Sequence, residues 1–413
     1  MKKRINKLIK KFGQKNRLIF KIYKCFFKIK RSKFFDKYKR SVPVNDKIIV
    51  FESFQGRLYA CSPKAMYLAA MNDERFSDYT FIWAVRDVKK YAFLTENANT
   101  KLVKYGSYDY MKKLAEAKYW VVNSTLPVYI TPGAEHVLVQ TWHGTPLKRL
   151  GCDIKKQGNN GQKLSEIYNQ YRAQGEMITF FPSPSEFYTE KIGSAYDQGK
   201  EKFIECGYPR NDFLFSYTDE DVKRIKEELG IPEGKKVLLY APTFRDNMHE
   251  RGRGFHYDIG IDFDMLKREF SKDYVILFRA HYFIIDKFNF DEYEGFIYNV
   301  SKYDDINELY IISDMLLTDY SSVFFDFANL KKPVMFFMYD FEEYKNNLRD
   351  FYLEMSELPG PIVYKNEELC AMIRETEKNF VYDEKYRKFN ERFNTYNDAS
   401  SSLRALGKCI LNG

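Results

Sequence analysis

Eight short apolar runs, separated by helical patterns, constrain the fold of this chain more than any other feature. Near-continuous apolar strands that alternate with helices are typical of a parallel sheet covered by helices on both faces. The chain is therefore predicted to be an α/β protein. The predicted strands occupy residues 47–51, 81–85, 119–123, 136–142, 236–242, 274–280, 314–318 and 333–338.

The stretch from about 216 to 235 divides these strands into two groups. Thr218 begins a charged helix, and Gly230 and Gly234 end it before a new set of strands. At 413 residues the chain also exceeds one ordinary domain. We predict two doubly wound, Rossmann-like domains, 43–216 and 217–413, which face a central cleft, and the last helix is a candidate to pack back on the first domain. Ligands of such folds bind beyond the carboxyl ends of the strands.

The N-terminal segment 1–42 is predicted to be a basic amphipathic helix. Residues 1–40 carry 17 Lys or Arg against one acid, Asp36, whereas the whole chain has a net charge of only +9. Its apolar residues follow helical spacing and include several Phe and Ile, which favours an anionic membrane surface over a solvated tail or a nucleic-acid arm. No apolar run approaches the roughly 20 residues that span a bilayer, and no signal peptide is recognisable. We expect peripheral attachment and no nucleic-acid partner.

The six scattered cysteines form no CxxC pair, which predicts reduced thiols and no structural zinc. Asp262 and Asp264 resemble a metal-binding DxD, yet they fall at a helix start, where acidic caps are expected. We therefore expect neither a metal site nor a cofactor.

The strand at 136–142 runs directly into His143, Gly144, Thr145 and Pro146. A histidine at the carboxyl end of a buried strand lies where open α/β folds place reactive groups, and its near-neutral pKa suits proton removal from a hydroxyl. The residues alone favour this interpretation and an ordinary hydrogen-bonded loop histidine about equally.

Three segments end strands of the second half in the same way. His281 occupies the place equivalent to that of His143, so the two histidines are predicted to meet across the cleft. The segment 318–322 combines hydroxyls with a helix start, which suits a phosphate, although Ser and Asp there are also ordinary caps. Arg245, beside Thr243, adds a guanidinium that could bind phosphate. In the first half, 182–185 and 207–212 are expected to face the cleft.

Taken together in order, several motifs resemble the CDP-glycerol glycerophosphotransferase family of teichoic acid primases and polymerases. They are TWHGTPLKRLG (141–151), SPSEF (183–187), GYPRND (207–212), YAPTFRD (240–246), RAH (279–281) and TDYSSVFFDFA (318–328). The resemblance covers about 45–400. It implies a two-domain glycosyltransferase-B type fold at the cytoplasmic face of a bacterial membrane, and release of CMP when an acceptor hydroxyl attacks the β-phosphate of the donor.

The resemblance also implies residue roles. His143 matches the proposed general base and His281 a second essential histidine near the donor phosphates. The donor-binding segments contain Thr243, Arg245, Thr318, Asp319, Ser321 and Ser322. The acceptor side or cleft contains Gly144, Thr145, Ser183, Arg210 and Asp212.

The expected partners are CDP-glycerol and a lipid-linked teichoic acid or capsule polymer. The chain lacks the large N-terminal domain of the long polymerases, so a primase and a short polymerase both remain open. CDP-ribitol is the alternative donor. A nucleotide-sugar glycosyltransferase of the same fold and a non-catalytic polyanion-binding protein are the remaining alternatives.

Overall fold

The computed structural model describes residues 17–155, 162–243, 249–250, 254–255, 260–280, 290–342 and 351–412. Two parallel sheets organise them, as predicted. The first has the strand order β3-β2-β1-β4-β5, and every neighbouring pair is parallel. Its strands are β1 Asn45–Glu52, β2 Thr80–Val85, β3 Thr100–Lys104, β4 Ala117–Val122 and β5 Val137–Gln140.

A parallel bridge between Val139 and Phe180 extends this sheet to a short parallel pair, β6 Phe181–Ser183 and β7 Phe203–Glu205. The order reverses between β1 and β4, which makes this the point where a doubly wound fold opens a crevice. The helices of the first half are α1 Arg17–Lys39, α2 Cys61–Met71, α3 Tyr108–Glu116, α4 Leu164–Met177, α5 Glu186–Tyr196 and α6 Phe213–Ser216.

The second sheet has the order β12-β11-β8-β13-β14-β15 and is also parallel throughout. Its strands are β8 Lys236–Tyr240, β11 Tyr274–Phe278, β12 Ile297–Asn299, β13 Met315–Thr318, β14 Val334–Phe337 and β15 Ile362–Val363. A separate antiparallel pair joins β9 His249–Glu250 to β10 Gly254–Phe255.

The helices of the second half begin with α7, which starts after Thr218 as predicted. A capping box forms there: the Thr218 hydroxyl accepts from the backbone N–H of Asp221, and the Asp221 carboxylate accepts from that of Thr218. These helices are α7 Asp219–Glu228, α8 Phe263–Phe270, α9 Ile306–Ile312, α10 Val323–Phe327, α11 Asn366–Asn379, α12 Glu384–Phe393 and α13 Ser401–Leu406.

Helices cover both faces of the first sheet. Ile49 and Phe51 of β1 belong to one buried apolar cluster, whereas Val50 between them belongs to another. All three side chains are fully buried. This burial on both sides explains why the parallel strands read as continuous apolar runs rather than as alternating ones.

The C-terminal segment packs on the first sheet, not on the second. Leu406 and Ile410 lie in the same buried cluster as Ile49, and the hydroxyl of Tyr119 donates to the carbonyl oxygen of Ile410 at 2.9 Å. The chain thus crosses back to the first domain after α12. This return is a second connection between the two halves, and its helix α13 packs against Asp212, close to the first connection near residue 217.

The N-terminal helix α1 has two differently placed parts. Near its end, Phe35 is fully buried against Trp120, and Arg31 donates to the hydroxyl of Tyr129 at 2.9 Å. Earlier, Ile22 and Phe26 are 62% and 66% exposed. The prediction of a membrane-surface segment as far as residue 42 was therefore wrong for the last part of the helix, which belongs to the core of the first domain. Residues 1–16 lie outside the described part of the chain.

Not one of the helices in the described ranges combines the length and the apolarity that crossing a bilayer requires.

Candidate active site

His143 is held by a single hydrogen bond at the end of the first sheet. Its Nδ1 lies 2.9 Å from the carbonyl oxygen of Asn123, which follows β4. Because a carbonyl oxygen can only accept, Nδ1 must carry the proton in the neutral ring, and the lone pair is then on Nε2. No described residue hydrogen-bonds Nε2. The neutral imidazole therefore has a basic nitrogen, Nε2, that no described residue occupies.

The surroundings of His143 keep this ring neutral. Although one side of the residue is exposed to the cleft, burial by the surrounding protein lowers the pKa of His143 below its ordinary value. The hydrogen bond to Asn123 opposes this shift, and the positive charge of Arg210 adds to it. A ring that is unprotonated at neutral pH can accept a proton from a substrate hydroxyl.

The chain bends sharply to bring His143 into this position. Trp142, just before it, adopts φ +50, a left-handed conformation that is strained for an aromatic residue. The Gln140 side chain stabilises the bend, since its Oε1 accepts from the backbone N–H of Trp142 at 3.0 Å. The ring centroids of Trp142 and His143 lie 4.4 Å apart, so packing also fixes the imidazole plane.

The loop after β1 forms a second wall of the site. Phe54 and Gln55 both have positive φ, and the side-chain oxygen of Asn123 accepts from the backbone N–H of Phe54 at 2.7 Å. The Phe54 ring lies 5.9 Å from that of His143. Neither Asn123 nor Phe54 was among the residues predicted to form the site. A polar residue at the carboxyl end of the predicted strand 119–123 was the signal that could have identified Asn123.

The two halves of the molecule meet beside His143. A Cβ atom built on Gly144 would lie 2.5 Å from Oγ of Ser322 and 3.2 Å from its Cβ. Ser321 and Ser322 are half-buried, and no hydrogen bond of their hydroxyls to a described residue occurs. Ser322 thus lies against the loop that carries the predicted base, and Ser321 and Ser322 both have hydroxyls without a partner among the described residues.

Two other predicted donor-side residues serve the scaffold instead. The hydroxyl of Thr318 donates to the carbonyl oxygen of Ala241 at 2.8 Å, and Asp319 accepts from the backbone N–H groups of Thr243 and Tyr320 at 2.8 and 2.6 Å. Thr318 and Asp319 are both buried. They therefore join the ends of β8 and β13. Their placement does not support a direct contact with a ligand.

The predicted acceptor-side residues, apart from Gly144, lie behind the wall of the cleft. Arg210 is buried in an ion pair with Asp326 of α10, at 2.8 Å. The Ser183 hydroxyl donates to the carbonyl oxygen of Ser185 at 2.9 Å. Thr145 is fully buried. Because these side chains are enclosed by protein, they position the loops rather than touch an acceptor.

Asp212, the last of that group, caps the C-terminal helix. Its two carboxylate oxygens accept from the backbone N–H groups of Ser401 and Ser402 at 2.9 and 2.8 Å. Burial raises the pKa of Asp212 to about 6, although these hydrogen bonds lower it. Asp212 therefore anchors the returning chain on the first domain.

His281 and Arg245 lie outside the described residues, so their meeting with His143 stays a prediction. Within the described ranges, no group of three or more His, Cys, Asp or Glu side chains is arranged to hold a metal ion.

Two parallel, doubly wound sheets with a strand-end histidine between them define a two-domain enzyme of glycosyltransferase-B type. Residues 34–411 match the family described as CDP-glycerol:poly(glycerophosphate) glycerophosphotransferase. The chain therefore belongs to this family, and it is a transferase that takes glycerol phosphate from CDP-glycerol.

Known proteins support this assignment over nearly the whole chain. The teichoic acid poly(glycerol phosphate) polymerase of Bacillus spizizenii is 37% identical over 371 residues, which cover 89% of this chain and 93% of the relative. The polymerase of the same name from Bacillus subtilis is 39% identical, and the matched region spans only 49% of it. The solved structure of the wall teichoic acid polymerase TagF superposes with a TM-score of 0.82 at 33% identity, and covers 95% of this chain and 98% of that one.

Ribitol-phosphate polymerases are similar over a shorter region. The TarK enzyme of Staphylococcus aureus is 32% identical over 302 residues, which cover 70% of this chain and 56% of that relative.

Proposed function

We propose that this chain extends a poly(glycerol phosphate) teichoic acid, with His143 as the general base. A terminal hydroxyl of the acceptor attacks the β-phosphorus of CDP-glycerol while Nε2 of His143 takes its proton. A new P–O bond forms, the bond from the β-phosphorus to the bridging oxygen breaks, and CMP leaves with that oxygen. The observation that carries this proposal is the hydrogen bond from Nδ1 of His143 to Asn123, which leaves Nε2 as the basic nitrogen.

The donor is expected to lie on the second domain, opposite His143. The hydroxyl of Ser322 lies within contact distance of Gly144, and Ser321 directly precedes it, so a diphosphate held there would place its β-phosphorus near the base. We assign Arg245 and His281 to the same phosphates, as the resemblance implies. Charge stabilisation and positioning then supply most of the rate enhancement.

The test of the base is the His143→Ala variant, assayed for CMP release from CDP-glycerol with a poly(glycerol phosphate) acceptor. Turnover is expected to fall by about 10²-fold to 10⁴-fold while CDP-glycerol binding is retained. His136→Gln is the matched control, because His136 is buried and its Nε2 lies 3.2 Å from the carbonyl oxygen of Ala115. This control should lower the melting temperature but not the turnover per folded molecule. Near-normal turnover of His143→Ala would refute the assignment.

Glycerol is favoured over ribitol as the polyol. The glycerol-phosphate relative of Bacillus spizizenii matches 89% of this chain, whereas the ribitol-phosphate polymerase TarK matches 70% at lower identity. Parallel incubations with CDP-glycerol, CDP-ribitol and a UDP-sugar, with CMP or UDP as the readout, separate the three donors. The length of the product made on a one-unit acceptor then distinguishes a primase from a polymerase.

We further propose that α1 attaches the enzyme to the cytoplasmic face of the membrane. Ile22, Phe26 and Ile29 recur at helical spacing, and the three side chains are 62%, 66% and 47% exposed. Lys28 and Lys30 flank them on a helix that lacks acidic residues in its first turn. Apolar side chains among lysines suit an anionic lipid surface.

Flotation with phosphatidylglycerol vesicles tests the attachment. Replacing Ile22, Phe26 and Ile29 together by Ser should abolish flotation while the fold is retained, since these side chains are exposed. Phosphatidylcholine vesicles serve as the neutral control. Removal of the whole segment to residue 40 is the poorer experiment, because Phe35 belongs to the core.

A further inference from the structure

The residue whose carbonyl group holds His143 also bonds to the loop after β1 through its side chain. Asn123 follows β4 directly and is fully buried. Its Oδ1 accepts from the backbone N–H of Phe54 at 2.7 Å, and its Nδ2 donates to Oγ of Ser53 at 3.1 Å. One residue therefore binds His143 with its backbone and fixes its own position with both polar atoms of its amide.

Ser53 determines the orientation of the Asn123 amide. The Ser53 side chain is buried, and its hydroxyl donates to the carbonyl oxygen of Ala60 at 2.8 Å. Because a hydroxyl has only one proton, Oγ of Ser53 must act as the acceptor toward Asn123, so the amide NH2 group faces it. The amide oxygen is then left to accept from Phe54. A connected series of hydrogen bonds thus runs from Ala60, just before α2, through Ser53 and Asn123 to His143.

The loop after β1 depends on these hydrogen bonds because its backbone is strained. Phe54 and Gln55 have φ values of +48 and +57, in the left-handed region that residues other than glycine rarely adopt. Oδ1 of Asn123 accepts from the N–H of Phe54, and Oγ of Ser124 accepts from that of Gln55 at 3.1 Å. The end of β4 therefore holds the strained pair, and with it the Phe54 ring that lies 5.9 Å from the ring of His143.

A second amide side chain ties the same turn to the loop that carries His143. Gln140, the last residue of β5, donates through Nε2 to the carbonyl oxygen of Ser124 at 3.3 Å. Its Oε1 accepts from the backbone N–H of Trp142, which directly precedes His143. The turn at 123–124 is thus fixed on both sides, to the loop after β1 by Asn123 and to the loop of His143 by Gln140.

We propose that the Asn123 side chain, oriented by Ser53, is a positioning group for the transfer reaction, because it holds the carbonyl that keeps the ring proton of His143 on Nδ1. The inference rests on the proposed role of His143. A neutral imidazole carries one ring proton, and the hydrogen bond made by one nitrogen decides which nitrogen carries it. When this carbonyl is displaced, the proton also occupies Nε2. That nitrogen then has no lone pair with which to accept a proton from the acceptor hydroxyl.

The test is Asn123→Ala, which keeps the backbone carbonyl but removes both hydrogen bonds of the side chain. The kcat for CMP release is expected to fall by about 10-fold to 10²-fold, since a displacement of about 1 Å at a reacting group can cost that much. The Kd of CDP-glycerol should stay unchanged, because the donor is assigned to the second domain. A loss in kcat without a loss in donor affinity is what displacement of the base predicts.

The ring proton of His143 is followed directly by NMR of ¹⁵N-histidine-labelled full-length protein, because protonated and unprotonated ring nitrogens have well-separated chemical shifts. The chain has five histidines, and the His143→Ala spectrum identifies the resonances of His143. Above the pKa of the ring, the wild type should carry the proton on Nδ1 alone. Asn123→Ala should show a mixture of the two neutral forms.

Two further variants separate positioning from a general loss of stability. Ser53→Ala removes only the hydroxyl that orients the amide, so both changes should appear in smaller degree. Combined with Asn123→Ala it should add little further loss of turnover, because residues of one hydrogen-bond network are not additive. The matched control is Tyr67→Phe, which removes a buried 2.9 Å hydrogen bond to Thr100 in the same domain. This control should lower the melting temperature and keep the wild-type turnover and ring proton.

The two readouts distinguish failure of this proposal from failure of the proposed base. A ring proton that stays on Nδ1 in Asn123→Ala and Ser53→Ala would overturn the positioning role, even with lowered turnover, since that loss would then have another structural cause. A mixture of neutral forms with wild-type turnover would instead refute His143 as the base. If Asn123→Ala does not fold, Ser53→Ala decides by the same criteria.

Discussion

Gly144 and Ser322 come from different domains, and a Cβ atom on residue 144 would lie 2.5 Å from Oγ of Ser322. This contact places the loop that carries His143 directly against the loop that carries two free serine hydroxyls. The site is therefore assembled between the domains, and at this contact it depends on a residue without a side chain. Its φ is not left-handed, so the requirement for glycine is the available space and not the backbone conformation.

Gly144→Ala should therefore impair catalysis more than stability. The added methyl group must displace Ser322, which moves the donor side away from Nε2 of His143, and a shift of about 1 Å can cost on the order of 10²-fold in rate. Steady-state CMP release and the melting temperature, measured together, check this. Gly407→Ala is the matched control, because a Cβ there meets nothing within 4 Å, and it should keep full activity. Equal activity of the two variants would show that the contact is unimportant.

The pH dependence of the reaction should reflect the lowered pKa of His143. The base form of the ring persists below the ordinary histidine range, because burial and Arg210 disfavour its protonation. The acid limb of kcat/KM for CDP-glycerol and acceptor is thus expected below pH ~6.5, the usual histidine value. If the protein stays folded and the midpoint of the acid limb lies at or above that value, the result would contradict the desolvated environment of His143.

The strand pattern predicted most of this fold because parallel strands that are buried on both faces cannot contain polar residues. All eight predicted runs contain strands of the structure. The strands that were not predicted are short or lie at the sheet edges, such as Thr100–Lys104, in which Lys101 and Lys104 are exposed. An edge strand satisfies part of its backbone with solvent, so its sequence is less constrained.

The site was only partly predictable, for a physical reason. A motif shows which residue types lie at a strand end, but not whether a neighbouring chain segment occupies their polar groups. Thr318 and Asp212 are in predicted motifs, yet backbone groups distant in sequence satisfy their side chains. Asn123 and Asp326 were missed because their roles depend on residues 20 and 116 positions away.

Loss of the Asp212 cap should release the C-terminal helix. In Asp212→Ala the backbone N–H groups of Ser401 and Ser402 lose their acceptor, which is expected to cost about 1–2 kcal/mol. Asp212→Asn keeps one acceptor oxygen and should be milder. Thermal unfolding and limited proteolysis near residue 400 measure the difference. Equal stability of the two variants would mean that the carboxylate does not hold this helix.

The two parts of α1 should respond oppositely to the loss of a phenyl ring. Phe35→Ala removes a fully buried ring beside Trp120 and should destabilise the protein by about 3–5 kcal/mol. Phe26→Ala removes a ring that is 66% exposed and should change stability by about 0.5 kcal/mol or less, while vesicle flotation weakens. Denaturant unfolding without lipid, followed by flotation, compares the two. Similar destabilisation by both variants would contradict the docking of only the C-terminal part of the helix.

Glu52, at the end of β1, should make the protein less stable as the pH rises. Its side chain is fully buried, the Tyr110 hydroxyl donates to one oxygen at 2.6 Å, and the other oxygen has no partner among the described residues. Burial raises the pKa of Glu52 to about 7, from 4.5 for the free side chain. Between these values the folded state keeps a proton that the unfolded state has lost, so the free energy of unfolding falls with increasing pH, by roughly 3 kcal/mol in total.

Glu52→Gln should remove this dependence, since the amide cannot ionise and can still accept from Tyr110. The difference in unfolding free energy between variant and wild type is expected to be small near pH 5 and to favour the variant by about 1–3 kcal/mol at pH 8. Subtracting the unfolding free energy of the wild type from that of the variant at each pH cancels the contributions of carboxylates that titrate alike in both proteins. Glu74→Gln, at an exposed position, is the control and should give a flat difference. A flat difference for Glu52→Gln as well would mean that Glu52 is already charged and solvated in the folded protein.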